Sequence, residues 1–452
     1  MSILSACTYS RRFQPRLTVL LTLPLTLILV GSALTRPALA EPSNPGHFAN
    51  AIEPGLYRLD GADPTLPSAD LAPLRRIVGD AQFVGVGEPT HTSGGFYQMK
   101  HRVFRYLVEE MGFRVLGFES PFEWGVAMES YLQGCASPSG PGSTSDDALN
   151  ALFTVYWSTE VRDVAEWMCG WNQQHPKDSL HFYTFDIQRQ SKSAADALFA
   201  FLERLEDPVT EPWIEGIALC DGVVDSFYPS QPFPTERYNA CMAALDAVDE
   251  WFDAHEKDIV HRTSREDLAW ARVYQVIERS WQGMLYYIRT DFPRSYAFRE
   301  EGMAYLTIAI HQLRFPHEKV MLWAHNGHVV RDSMPYNELT SQGSLLAPEL
   351  GRKYVIIAQA AFESSADWPA AGRCGVANIL DNPPLEGLLH ETGEPFLLLD
   401  LDPRGSHPSF LDPEAGWSIG GSYPIQLQHH YDAVIYQDAS PAMHPLAWPA
   451  CQ

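Results

Sequence analysis

The side chains best suited to acid–base chemistry in this chain are histidines and carboxylates that come directly after short apolar runs. A histidine can take up or release a proton near neutral pH, and a neighbouring carboxylate can orient it. With a hydrogen-bond donor for a developing oxyanion, such a set can activate water for ester hydrolysis. The candidates are Glu88, His91, Glu119, Asp186, His325 and His328.

The apolar runs before these residues have the pattern of strands that are buried on both faces. They are short, nearly continuous and rich in Val, Ile, Leu and Phe. The carboxyl ends of parallel strands lie along one edge of a sheet, where ligand crevices form, so we expect the candidates to meet there. The predicted strands are Ala81–Gly87, Phe113–Glu119, Leu180–Asp186, Lys319–Ala324, Tyr354–Gln359, Phe396–Asp400 and Ala433–Tyr436.

Each candidate taken alone is also compatible with a structural role, because a polar residue after a strand commonly caps or turns the chain. Asp186 is the most typical of such a cap, and Glu119 could cap a helix that begins near Phe122. The grouping favours function, since carboxylates and imidazoles in one crevice shift one another's pKa values.

Helical spacing between the strands completes an alternating pattern. Phe96–Met111 repeats apolar residues every three or four positions, and Gly112 follows as a stop signal. Strand, helix and strand in succession form right-handed βαβ units. We therefore predict a three-layer α/β fold in which a mostly parallel sheet is flanked by helices.

Residues 191–315 carry helical patterns without convincing strand runs, which indicates a large helical insertion. The predicted α/β catalytic core then comprises residues 41–190 and 316–452. The insertion could form a lid or wall over the site, or it could consist of ordinary helices that cover the sheet. Its predicted helices are Ala194–Leu205, Tyr238–His255, Arg265–Tyr287 and Ser295–Leu313.

Composition and charge limit the kinds of partner that this protein can bind. The 452 residues are 45% hydrophobic and 12% aromatic, which supports a large core and excludes a disordered chain. The formal net charge of -24 argues against nucleic acid, whose phosphates require a surface rich in Lys and Arg. It argues equally against anionic membrane surfaces. A neutral or cationic small molecule is the better partner.

The first forty residues have the pattern of a secretory signal peptide. Arg11, Arg12 and Arg16 precede an apolar run, and residues 38–40 (Ala-Leu-Ala) form a small-x-small cleavage site before Glu41. We expect an exported protein, periplasmic or secreted, with no stable membrane anchor after cleavage. The alternative is an uncleaved anchor helix.

Export also changes the meaning of the cysteines. Six remain after residue 40 and none forms a Cys-x-x-Cys pair, which disfavours a zinc ribbon or thioredoxin-type motif. An even number in an oxidising compartment suggests disulfides, although six cysteines allow 15 connectivities. Sequence proximity favours Cys135–Cys169 and Cys220–Cys241, which leaves Cys374–Cys451.

Two histidine motifs resemble those of the erythromycin esterase family. The first is Gly87-Glu88-x-Thr90-His91, followed by Phe96, Lys100 and His101, and then by the segments at 109–113 and 118–119. The second runs from Trp323 through His325-Asn326-Gly327-His328 to Val329, and a segment from Arg299 to Ala304 resembles a helix shortly before it. The resemblance extends over most of residues 51–438.

The resemblance implies metal-independent hydrolysis without a cofactor, on a small-molecule ester or a macrolactone, as in macrolide resistance enzymes. His91 would be the general base, and Glu88 and Glu119 would orient it and the water. His325 and His328 would stabilise the oxyanion or protonate the leaving alcohol. The expected substrate-binding residues are Lys100, Asp186, Thr92 and Asn326.

Three positions depart from the family's pattern. Thr92 replaces the usual Gly after the motif histidine, Gly95 replaces an acidic residue, and Lys100 stands where an Arg is common. A lysine cannot form the two-pronged contact of an arginine. These changes bear on the substrate more than on hydrolysis itself.

Three alternatives remain open. The same His and Glu cluster could hold zinc or another divalent ion, which would make the protein a metal-dependent hydrolase. The scaffold could instead belong to a non-catalytic periplasmic binding or envelope protein. Gly416-Trp417-Ser418-Ile419-Gly420 matches a serine nucleophile elbow, but its flanks favour a glycine-rich loop.

Overall fold

The computed structural model describes residues 51–188, 192–220, 234–333, 339–368, 373–378, 384–402, 408, 411 and 425–446. All seven predicted strands are present, and three further strands join them. The strands are β1 (Ala51–Glu53), β2 (Leu56–Arg58), β3 (Phe83–Val86), β4 (Phe113–Pro121), β5 (His181–Asp186), β6 (Lys319–Trp323), β7 (Tyr354–Trp368), β8 (Arg373–Asn378), β9 (Phe396–Asp400) and β10 (Ala433–Ser440).

Nine of these strands lie side by side in the order β1-β2-β9-β10-β7-β3-β6-β4-β5, and β8 pairs with the far part of β7. The run from β10 to β5 is wholly parallel. β9, β2 and β1 continue the sheet as antiparallel strands at the β10 edge. The predicted mostly parallel sheet is therefore confirmed, with an antiparallel margin.

Alternate residues of the central strands enter different hydrophobic clusters, which defines three layers. Val84 and Val86 of β3 point into a cluster with helices that precede β5, whereas Phe83 points into a cluster with two helices of the insertion and one helix that follows β6. Both faces of the sheet are thus covered, as a parallel sheet requires. The helices on the first face are α1 (Pro73–Val78), α2 (Gly94–Met111), α3 (Gly125–Ala136), α4 (Ser145–Leu149) and α5 (Thr159–Gln174).

The chain between β5 and β6 forms helices and no strand wherever it is described, which confirms the predicted helical insertion. α6, α7, α8 and α9 share a hydrophobic cluster of their own. The fifth helix of the insertion is α10, and α11 to α14 follow β6. The bounds are α6 (Ser193–Arg204), α7 (Glu211–Ala218), α8 (Thr235–Arg262), α9 (Arg265–Tyr287), α10 (Phe292–Arg314), α11 (Asn326–Val329), α12 (Gln342–Leu350), α13 (Pro384–His390) and α14 (Leu427–His430).

Two of the three predicted disulfides are present. Cys135 and Cys169 link α3 to α5, and Cys220 and Cys241 link the end of α7 to α8, with Cα atoms 5.3 Å and 5.9 Å apart. Cys451, the signal segment and the motif at 416–420 lie outside the described residues. Among the described residues, no helix combines the length and apolarity needed to cross a bilayer.

Candidate active site

The carboxyl ends of the central strands meet where the candidate residues lie. Val86 of β3, Trp323 of β6 and Phe118 of β4 are paired in register, so the residues that follow them emerge side by side. The rings of His91 and His325, more than two hundred residues apart in sequence, have centroids 5.4 Å apart. The structure therefore brings the segments after β3, β4, β5 and β6 to one sheet edge, as parallel pairing predicts.

His91 is held on one side by a buried carboxylate. Its Nδ1 lies 2.9 Å from Oε1 of Glu88, which is fully buried. The second oxygen of Glu88 contacts Nζ of Lys100, and that ammonium group also donates to the carbonyl of Ala324 at 2.8 Å. Lys100 is itself buried inside α2, and this burial lowers its pKa. Lys100 therefore fixes the carboxylate that orients His91.

The other side of the His91 ring is open. Its Nε2 faces Glu119, 3.9 Å from Oε1, and the side chain is 27% exposed. Burial lowers the pKa of His91, although the negative charge of Glu119 opposes this shift. The imidazole is then neutral at pH 7, with Nδ1–H donating to Glu88 and the Nε2 lone pair free to accept a proton.

Glu119 is the carboxylate that all parts of the site share. Its Oε1 accepts from Nη2 of Arg299 at 2.9 Å and lies 3.2 Å from Nε2 of His328. Its Oε2 accepts from the backbone N–H of His325 at 2.9 Å. Burial raises the pKa of Glu119, but the charge and hydrogen bond of His328 and the charge of Arg299 outweigh it and hold that pKa well below its ordinary value.

Arg299 of α10 joins Glu119 to Asp186. Its Nη2 donates to Oδ2 of Asp186 at 2.6 Å as well as to Glu119. Asp186 is fully buried and also accepts from the backbone N–H of Gln188 at 2.9 Å. Burial lowers the pKa of Arg299, but Asp186 and Glu119 raise it further than burial lowers it. The carboxylate at the end of β5 therefore anchors an arginine that the helical insertion supplies.

His328 is enclosed by two carboxylates. Its Nδ1 lies 2.8 Å from Oε1 of Glu300, and its Nε2 faces Glu119. Burial lowers the pKa of His328, but Glu119 and Glu300 raise it, and the result is about 9. Tyr296, one turn before Glu300 on α10, stacks on the ring with an interplanar angle of 9°. His328 is therefore an imidazolium at neutral pH.

His325 is neutral and bound to backbone on both sides. It is the N-cap of α11, and its Nδ1 accepts from the backbone N–H of Gly327 at 3.0 Å. Its Nε2–H donates to the carbonyl of Pro89 at 2.8 Å. Burial lowers the pKa of His325 to about 3. His325 thus ties the segment after β6 to the loop that carries His91.

Asn326 and Thr92 are also bound within the protein. The amide of Asn326 donates to the carbonyl of Gln359 at 2.9 Å and accepts from its N–H at 3.2 Å. A Cβ at Gly87 would collide with Asn326, so only glycine permits this close approach. Thr92 is buried with a φ of 67°, and its N–H donates to the hydroxyl of Tyr97 at 2.8 Å.

Sequence reasoning missed Glu300 and Tyr156 and assigned Arg299 no role in the site. Arg299 and Glu300 lie inside a helix of the insertion, and no strand end marks them. The available signal was the family resemblance of the segment that starts at Arg299. Tyr156, whose ring centroid lies 5.6 Å from that of His91, ends a short 3-10 helix, Thr154–Tyr156, which has no distinctive pattern.

The cluster does not fit a resident metal ion. Among the described residues, no group of three or more His, Cys, Asp or Glu side chains is placed to hold one. The ring nitrogens of His325 and His328 are already engaged by backbone and carboxylate groups. Of the three imidazoles, His91 alone has a ring nitrogen left for a proton or a ligand.

A family model described as "Erythromycin esterase" matches residues 108–440, well over half of the chain. This chain belongs to the erythromycin esterase family. The matched range begins after Glu88 and His91 and includes the site residues from Glu119 to His328.

Individual relatives are distant. YbfO of Bacillus subtilis (strain 168), named as an inferred hydrolase, is 23% identical over 447 residues, covering 93% of this chain and 97% of its own length. Erythromycin esterase type II of Escherichia coli is 28% identical over 124 residues, covering 27% of this chain and 28% of its own. A mutant of the erythromycin esterase EreC in its open conformation superposes with a TM-score of 0.66 at 16% identity, covering 84% of this chain and 96% of that one. At this identity the similarity to EreC shows a shared fold and nothing further.

Proposed function

We propose that this family member hydrolyses a carboxylic ester or macrolactone with a water molecule that His91 activates, without a covalent serine intermediate. The observation that carries the proposal is the asymmetry of His91. Its Nδ1 is bound to buried Glu88, and its Nε2 is free and faces Glu119. A neutral imidazole with one oriented and one free nitrogen is the arrangement that a general base requires.

The position of the attacking water follows from the same geometry. One water oxygen can lie within hydrogen-bond distance of both His91 Nε2 and Glu119 Oε1, which are 3.9 Å apart. His91 would take the proton of this water as its oxygen attacks the carbonyl carbon. The imidazolium would then return the proton to the alkoxide when the ester C–O bond breaks, so that acid and alcohol are the products.

Positive charge beside Glu119 supports the developing oxyanion in this proposal. Arg299 and the imidazolium of His328 both contact Glu119, in a water-poor environment where electrostatic interactions are strong. Neutral His325 holds the His91 loop through Pro89. Lys100, Asp186, Thr92 and Asn326 would then act through the residues that they fix rather than by touching substrate.

Mass measurement after incubation tests the proposal. The purified protein is incubated with erythromycin, simple lactones and p-nitrophenyl esters, and the expected product has gained one water. The macrolactone is one member of this panel because the relative named erythromycin esterase type II aligns with only 27% of this chain. We expect full activity after thorough metal stripping with a chelator.

Two variants distinguish water activated by His91 from Ser418 as the nucleophile. His91→Ala is expected to abolish hydrolysis while the far-UV circular dichroism spectrum is kept, because the proton acceptor is gone. Ser418→Ala is the matched control for the alternative serine mechanism and is expected to keep wild-type activity. Equal losses in the two variants would contradict the proposal, and so would activity that is lost with chelator and restored by zinc.

We also propose that residues 1–40 direct export to the periplasm or the medium. The basic and apolar pattern of this segment and the disulfides Cys135–Cys169 and Cys220–Cys241 support it. Mass spectrometry of the protein from fractionated cells is expected to give an N-terminus at Glu41. A cytosolic chain that retains Met1 would contradict the proposal.

A further inference from the structure

Tyr156 is a buried tyrosine beside the reacting groups whose hydroxyl is unused. It ends the short 3-10 helix before α5 and is fully buried. Its ring meets His91 edge-on, with centroids 5.6 Å apart, and meets Phe118 at 4.7 Å. Within the described part of the chain, its Oη has no hydrogen-bond partner. A buried hydroxyl without a partner destabilises the folded state, so its presence needs a reason.

The neighbouring Tyr97 shows what a structural tyrosine looks like in the same place. The two rings have centroids 5.8 Å apart. The Tyr97 hydroxyl donates to the carbonyl of Val155 at 3.0 Å and accepts from the N–H of Thr92 at 2.8 Å. Tyr97 thus has both of its hydrogen bonds inside the protein, whereas Tyr156 has kept a donor available.

The surroundings of Tyr156 keep its proton in place. Burial raises the pKa of Tyr156 well above its ordinary value, and the charges of Glu119 and Asp186 raise it further, while Arg299 opposes them. The hydroxyl is therefore a neutral donor throughout the physiological range. A neutral donor close to an ionised Glu119 suits an oxygen that becomes negative only during the reaction.

We propose that Tyr156 Oη–H donates a hydrogen bond to the carbonyl oxygen of the bound ester as that oxygen becomes an oxyanion. This inference rests on the proposed function. As the water oxygen bonds to the carbonyl carbon, its proton goes to His91 Nε2 and the C=O electron pair moves to the oxygen that Tyr156 binds. When the pair returns, the C–O bond to the alcohol breaks and His91 gives up the proton.

Tyr156→Phe tests the inference because it removes the hydroxyl and keeps the ring. We expect kcat for p-nitrophenyl acetate, or for whichever ester of the panel is turned over fastest, to fall about 10²-fold with KM changed little, as for the loss of an oxyanion donor. The thermal midpoint should stay the same or rise, because no hydrogen bond inside the protein is lost. The matching thionoester should be much less affected, since sulfur is a poor hydrogen-bond acceptor.

Tyr183→Phe is the matched control. Tyr183 lies on β5 on the opposite face of the sheet, is also buried, and directs its hydroxyl to the carbonyl of Thr307 at 3.5 Å. This variant is expected to keep wild-type kcat, which shows that the loss in Tyr156→Phe is not common to buried tyrosines.

The outcomes distinguish a failure of this inference from a failure of the proposed function. If His91→Ala is inactive and Tyr156→Phe has wild-type kcat, the role of Tyr156 is wrong and the hydrolase mechanism stands. A Tyr156→Phe variant that loses kcat together with several degrees of thermal midpoint, or equally on ester and thionoester, also overturns the inference. If the wild type cleaves no ester of the panel, or cleaves one as fast as His91→Ala does, the proposed function and this inference both fail.

Discussion

The two sides of the site hold their histidines in opposite protonation states, although each histidine contacts a carboxylate. On the β3 side, His91 binds Glu88 through one ring nitrogen only, and burial lowers its pKa. On the α10 side, His328 lies between Glu119 and Glu300, and together they raise its pKa to about 9. The same residue type becomes a base or a cation according to how many carboxylates touch its ring.

This difference supports the roles that we propose for the two histidines. A neutral imidazole with a free nitrogen can accept a proton, whereas an imidazolium with both N–H groups occupied provides fixed charge. Glu119 lies between them, 3.9 Å from His91 and 3.2 Å from His328. In the proposed mechanism, the segment after β3 supplies the proton acceptor, and the helical insertion supplies Arg299 and Glu300 to the charged side.

The largest effect is expected from Glu88→Gln on the β3 side. A neutral amide no longer stabilises the imidazolium that His91 becomes, so kcat should fall about 10²-fold or more. The same change leaves buried Lys100 without its carboxylate, which should lower the free energy of unfolding by about 3 kcal/mol. Steady-state kinetics and urea unfolding measure the two losses.

A control for this variant lies on α2, the helix that carries Lys100. Glu109 pairs with Arg105 of α2 at the surface, at 3.2 Å, so Glu109→Gln should change the free energy of unfolding by only about 0.5 kcal/mol. The double variant Glu88→Gln/Lys100→Met should regain stability without regaining activity. A Glu88→Gln protein with wild-type kcat would contradict the role of Glu88.

The pH dependence of kcat/KM should report the titration of both His91 and His328. Activity should fall on the acid side through a pKa below the ordinary 6.5 of histidine, because protonated His91 cannot accept a proton. It should fall on the alkaline side through about 9, because His328 loses its charge there. Each limb should approach about tenfold per pH unit. A profile that is flat from pH 7 to 10 would contradict the assignment of His328, and an acid limb with a pKa above 6.5 would contradict that of His91.

Glu300→Gln should change the pKa of His328 on the α10 side and leave the pKa of His91 unchanged. Removing one of the two carboxylates lowers the pKa of His328, so the alkaline limb should move below about 9 while the acid limb stays in place.

The stability of Glu300→Gln should follow the same shift. The pKa of folded His328 exceeds the ordinary value of 6.5, so its contribution to stability is full below pH 6.5 and is lost as the pH rises through 9. Urea unfolding from pH 6 to 9.5 should show this decline in the wild type and a smaller decline in the variant. An unchanged alkaline limb would show that Glu300 does not set the charge of His328.

The smallest effect concerns backbone strain, which is found on the β3 side. Thr92 has a φ of 67°, a conformation that costs a β-branched residue about 1–3 kcal/mol. Thr92→Ala keeps a Cβ in this conformation, whereas Thr92→Gly removes it. We expect the Gly variant to be more stable than the Ala variant by about 1 kcal/mol in urea unfolding. An Ala variant at least as stable as the Gly variant would show that Thr92 is not strained.

The sequence predicted the core of this molecule better than its margins. Buried parallel strands such as β3 and β6 are continuous apolar runs, and α9 begins and ends at the predicted residues, Arg265 and Tyr287. β1 and β2 have three residues each, which is too short for a periodic signal. α7, with eight residues, was missed for a similar reason.

The site shows the same contrast between residues that the sequence predicts and residues that it does not. Glu88 and His91 follow one apolar strand and Glu119 lies near the carboxyl end of another, so their meeting can be deduced from the parallel order of the sheet. Arg299 and Glu300 reach the site only because α10 packs beside β5, and helical periodicity does not specify which sheet edge a helix face will meet. Which carboxylate raises the pKa of which histidine depends on distances of a few ångströms, and these arise from tertiary packing.

Nitrogen-15 NMR titration of the histidine side chains tests the central claim most directly. At pH 7 the account predicts a neutral His91 with its proton on Nδ1, and a His328 with both ring nitrogens protonated. On raising the pH, His328 should titrate near 9, and on lowering it, His91 should titrate below 6.5. Two histidines in the same protonation state at pH 7, or an imidazolium at His91, would contradict it.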